Sequence, residues 1–138
     1  MKTTILLLLS LFLLPFNGCS QMSKKLDVII KNDSLCFFTN DPDTDYYDSN
    51  KELLIYINKL EHKKEIATVF EKKYTNSPLP IKEKDCLKIP ISILKKDTPY
   101  IVSLEMRRIY IVEICLKNNN NQMFVQKIIT GEKTCPMN

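Results

Sequence analysis

Residues 26–39, LDVIIKNDSLCFFT, set two runs of β-branched and aromatic side chains around the polar pair Asn32-Asp33. Val28 and Ile30 fall on one face of the first run, while in the second Leu35 and Phe37 oppose Cys36 and Phe38. Side chains alternate across a strand with period two, so the pattern predicts a hairpin. Tight hairpin turns need positive φ, which glycine supplies most easily and Asn or Asp next. This chain has only two glycines, so its turns must fall on other residues. The device recurs at KNNNNQ, where residues 118–121 separate RIYIVEICLK from QMFVQKIIT.

Between these hairpins lie ELLIYIN (52–58), IATVF (66–70), CLKIPI (86–91) and PYIVSLEM (99–106). Pro90 places its strand on an edge or ends it, because proline cannot donate to a ladder. Residues 53–70 read two ways. Leu53, Ile57 and Leu60 fit helical spacing and KLEHKKE holds good helix formers, but LLIYI is rich in strand formers. A strand is the expectation, with a helical turn over 59–65 as the alternative. About eight strands in one domain, residues 26–138, predict an all-β, antiparallel β-sandwich, of which the immunoglobulin-like arrangement is one form.

The N-terminus has a different character. Lys2 precedes the apolar run ILLLLSLFLL (5–14), which a proline breaks before Gly18-Cys19. This is the pattern of a secretory signal peptide. The run is too short to span a bilayer core, which takes ~20 residues as a helix. FNGC (16–19) resembles the lipobox of bacterial lipoproteins, with Phe16 where leucine is usual. The resemblance implies a leader cleaved after residue 18, lipidation of Cys19 and a tether over 19–25. Acyl chains would then hold the protein on the membrane. Ser20 after the cysteine, by resemblance to enterobacterial sorting, implies anchoring to the outer membrane on its periplasmic side.

Setting Cys19 aside leaves Cys36, Cys86, Cys115 and Cys135, an even number in a chain marked for an oxidising compartment. Three connectivities are open. Pairing in chain order, Cys36 with Cys86 and Cys115 with Cys135, is the expected one. Zinc is not expected: no C-x-x-C occurs and His62 is the only histidine.

Charge excludes one class of partner. The net charge is +4, but KLEHKKE, EKK and KEKD intermix both signs. A nucleic-acid binder concentrates cations and interleaves aromatics, so these lysines read as solvated surface. The acidic string DPDTDYYDSNKE (41–52) has oxygen side chains at positions 1, 3, 5, 9 and 12, as an EF-hand loop does. It carries Tyr46 where that loop requires glycine, and strands rather than helices flank it. It therefore reads as an exposed loop, with Asp43, Asp45, Tyr46 and Tyr47 as candidate partner-binding residues, since tyrosine is enriched at interfaces. No metal or other cofactor is expected, and a calcium-dependent module built on 41–52 is the remaining alternative for this loop. His62 lies among charges, the serines lack a G-x-S-x-G context, and no glycine-rich phosphate loop exists. Nucleophile, base and oxyanion donor do not come together in the sequence, so an enzyme is not expected.

The series formed by the lipobox, VIIKNDSLCF, LLIYIN, DCLKIPI and PYIVSLEM resembles a family of small bacterial periplasmic lipoproteins regarded as immunity proteins against type VI secretion effectors. KNDSLCF and DCLKIP are its most specific elements. The resemblance implies stoichiometric binding of a cognate effector toxin, and neutralisation without chemistry. A structural or assembly lipoprotein of the envelope or of a secretion apparatus is the alternative, and it implies a constant partner.

Overall fold

A computed structural model describes residues 22–60, 67–129 and 131–137. Cys19, His62 and the leader lie outside the described residues, as do residues 61–65 of the helical alternative over 59–65. The described chain is all-β. Its strands are β1 (Lys24–Lys25), β2 (Asp27–Lys31), β3 (Ser34–Phe38), β4 (Glu52–Lys59), β5 (Ala67–Thr75), β6 (Leu87–Pro90), β7 (Pro99–Glu105), β8 (Ile109–Asn119) and β9 (Gln122–Lys127). Short 3-10 turns at Glu83–Asp85 and Ile91–Ile93 flank β6.

The strands form two sheets. The larger runs β1-β8-β7-β4-β5, with β9 also paired to β8, and the smaller runs β2-β3-β6. β1 and β9 share one edge of β8: β1 meets Tyr110 and Ile111, and β9 covers the stretch from Ile114 onward. All named strand pairs are antiparallel except β1 with β8. Lys24 and Lys25, expected in the tether, are therefore part of the sheet. The strand order differs from an immunoglobulin sandwich, which divides its strands differently and joins the sheets by a disulfide.

Both hairpin expectations are met at their turns. Asn32 (φ 50) and Asp33 (φ 56) connect β2 to β3, and Asn120 (φ 48) and Asn121 (φ 64) connect β8 to β9. Two consecutive positive φ values suit the right-handed twist of a two-residue hairpin. Of the four asparagines at 118–121, the first two continue β8. Pro90 ends β6, which lies on the edge of the small sheet, and β5 extends five residues past the expected run. Val69 has no partner on β4, where the register shifts between Ile57 and Asn58, so β5 carries a bulge.

The core lies between the sheets. Leu35, Phe37 and Ile89 from the small sheet meet Ile55, Ile57, Val102, Leu104 and Ile114 from the large one, all wholly buried. Each such side chain contributes roughly 1.5–3 kcal/mol by leaving water.

The disulfides join Cys36 to Cys86 and Cys115 to Cys135, the chain-order pairing. Neither links the sheets. Cys36 alternates with the core residues Leu35 and Phe37, and Cys115 with Ile114 and Leu116, so both point to the outer side of their sheets. The Cys36 bridge fastens the 3-10 turn before β6 against β3, and the Cys115 bridge holds the C-terminal segment over β8.

Candidate protein-interaction site

Residues 39–51 leave β3, cross the end of the large sheet and return to start β4. Their conformation is set by a buried polar network around Asp41. Thr39 and Asn40 N–H groups donate to the Pro80 and Ile81 carbonyls at 2.8 Å, which fixes the loop entry. The Thr44 hydroxyl donates to the Asp41 carbonyl (2.7 Å), so it accepts from Thr39 (2.7 Å). The Asp41 carboxylate takes Lys24 Nζ at 2.7 Å, the Tyr110 hydroxyl at 2.8 Å and the Asp43 N–H at 3.0 Å. Arg108 stands 3.8 Å away. The Lys24 and Tyr110 hydrogen bonds, with the Asp43 N–H, hold the Asp41 carboxyl down at about 2. Burial, with the bond to Asp41 adding to it, pushes the Tyr110 hydroxyl up.

The four candidate residues part company in the structure. Tyr47 stands at the tip, 78 % exposed, and Asp43 is exposed beside it in the loop. Tyr46 does not stand at the tip. It packs against the core, and its hydroxyl donates to the Ser77 carbonyl, so it anchors the loop. Asp45 is engaged by Arg107 at 3.2 Å, caps the Tyr46 N–H at 2.9 Å and accepts the Arg107 N–H through its carbonyl. Cations thus occupy Asp41, Asp45 and Glu52, three of the carboxylates that an EF-hand would turn on calcium. Among the described residues no group of three or more His, Cys, Asp or Glu side chains is placed to hold a metal.

Two hollows border the loop. One of about 470 Å³ lies between Pro42, Asp43, Asp45 and the arginines Arg107 and Arg108. The other, about 240 Å³, runs from Tyr47 and Asp48 to Leu54, Lys73 and Glu105 on the large sheet. The second leads from the loop tip onto the outer face of that sheet, with Leu54 among its walls.

Sequence reading placed the loop but missed what holds it. Lys24, Tyr110 and Arg108 come from distant strands, and no local spacing connects them to Asp41. It also missed the outer sheet face, although a signal was present. LLIYI and RIYIVEI are nearly continuous apolar runs, a pattern of strands whose two faces both leave water.

Comparison with protein-family models, with curated proteins and with solved structures finds nothing that matches this chain.

Proposed function

We propose that this chain is a lipoprotein of the periplasm, anchored through Cys19 to the outer membrane, that binds and neutralises a type VI secretion effector toxin. The observation that carries the reading is the lipobox-like FNGC a few residues before a disulfide-stapled β-domain. Disulfides suit an oxidising compartment, and a lipid anchor would keep the domain in the envelope where such a toxin arrives. Because Lys24 is already in the sheet, four residues separate the folded edge from Cys19, and the five steps between them reach at most ~18 Å. A loop fixed at its base that presents an exposed tyrosine suits high-affinity binding, since little order remains to be imposed on association.

The test is rescue. The product of the neighbouring gene is directed to the periplasm of a sensitive host, with and without this protein. Survival restored only by this protein is the expected result. Toxicity without relief, or no toxicity, favours the structural or assembly lipoprotein. The anchor is checked separately: Cys19→Ala should move the protein from the membrane fraction to the soluble one, and unchanged membrane association would remove the lipoprotein reading.

A further inference from the structure

The six-stranded sheet has two faces, and the small sheet covers only one. Positions that alternate with the core residues form a second, outward array. Across it, Leu54 of β4 pairs with Glu105 of β7, and Glu105 with Ile109 of β8. The next row is Tyr56, Ser103 and Ile111, and the next Asn58, Ile101 and Glu113. Leu54, Tyr56, Ile101, Ile109 and Ile111 are all half-buried, and β2, β3 and β6 lie on the opposite side. Where the array reaches Cys115, the C-terminal segment closes it through Cys135.

The charges left without an opposite partner on this face are acidic, in a chain whose net charge is +4. Glu52, Glu71, Glu105 and Glu113 stand on it. Lys73 is paired to Glu52 at 2.7 Å, Lys117 on the same side of β8 to Asp97 at 2.9 Å, and Lys25, at the margin beside Ile111, lies 3.6 Å from Asp27. Glu105 accepts the Tyr56 hydroxyl at 2.7 Å. The Glu113 carboxylate has no hydrogen-bond or ion-pair partner among the described residues, and burial pushes its carboxyl up. An unpaired, partly desolvated carboxylate beside isoleucines costs the isolated fold something, and a cation from outside would remove that cost.

We infer that this outer face is a docking surface for a helix or hairpin of a partner protein that presents lysine or arginine beside apolar side chains. Strand spacing and rise give the three rows an extent of about 14 by 10 Å between backbone positions across β4, β7 and β8. That seats one helix about 10 Å wide, and the hollow leading to Tyr47 extends the face toward the loop tip. Apolar anchors would drive association, and the glutamates would select cationic partners and repel acidic ones. The surface deepens the toxin-binding reading by naming a face and a partner chemistry.

The test uses the full chain, ¹⁵N-labelled, titrated with an amphipathic helical peptide of leucine and lysine and, separately, with its leucine and glutamate counterpart. The expected result is that the lysine peptide shifts the amides of Leu54, Ile101, Ile111 and Glu113, and the glutamate peptide does not. Glu105→Lys with Glu113→Lys should weaken the lysine peptide by about tenfold or more. Lys88→Glu, on the outer side of the small sheet, should leave it unchanged. Unshifted core amides show that each variant is folded. Binding that maps to another surface, equal binding of both peptides, or no binding overturns the assignment. The peptide result is independent of rescue: failed rescue with binding on this face removes the toxin and leaves the surface.

Discussion

Asp41 illustrates how one side chain fixes a loop. Its carboxylate is bonded to Lys24 on β1 and Tyr110 on β8, so it joins the loop to two strands of the large sheet. Its carboxyl is lowered from 3.8 to about 2, so its contribution to stability is complete above the unfolded value and is lost as pH falls toward about 2. Asp41→Asn should lower the melting temperature at pH 7, and the gap to wild type should close between pH 4 and pH 2. A gap that persists unchanged at pH 2 would show that charge is not what the loop uses. Tyr110→Phe should cost about 1–3 kcal/mol by leaving the loop oxygens short of a buried donor, measurable by urea unfolding. Glu113 behaves oppositely. Burial raises its carboxyl, so its ionisation weakens the fold as pH rises through the folded value, and that penalty is absent below the unfolded one. Glu113→Gln should therefore raise the melting temperature at pH 7 and change it little at pH 4.

Among the elements, the turns and bridges were the most legible. Asn32-Asp33 and Asn120-Asn121 are the turn residues that a glycine-poor chain would be expected to use, because their short polar side chains tolerate positive φ. Asn121→Ala should destabilise by more than about 0.4–1 kcal/mol, because alanine is strained at positive φ, whereas Asn121→Gly should be close to neutral. Equal melts for both would mean that the turn is not strained. The bridges act on their flanking segments. In the chain-entropy model, a loop of 50 residues for Cys36–Cys86 and of 20 for Cys115–Cys135 give about 4 and about 3 kcal/mol. Mutating Cys115 and Cys135 together to serine should expose the outer side of β8 while the β2-β3-β6 sheet keeps its amide protection. Hydrogen exchange reads this directly: loss of protection in both sheets would show that the C-terminal clasp is needed by the whole fold. Less legible was the extent of β5, since EKKYT carries charges that suit a helix or a loop equally well. Pairing with β4, and Lys72 lying 4.6 Å from the centre of the Tyr74 ring, decide it.

At the scale of the molecule, two sheets of unequal size bury one set of strand faces and leave the other side of the large sheet half open. Phe37→Ala, at the centre of the core, should cost about 3–5 kcal/mol in urea unfolding, the usual range for a large aromatic removed from a packed interior. Ile111→Ala, on the outer face, should cost far less, because that side chain is only half-buried. The sequence by itself determined the all-β class, both asparagine hairpins, the loop at 41–52 and the strand end at Pro90, because period, turn chemistry and proline geometry act over neighbouring residues. Only the tertiary structure decided that Lys24 reaches Asp41, that Tyr46 turns inward while Tyr47 stays out, and that Cys115 faces away from the core. It also decided that LLIYI and RIYIVEI turn a second apolar side toward solvent. Each of these depends on which strands become neighbours, and that follows from how the two sheets share a single core.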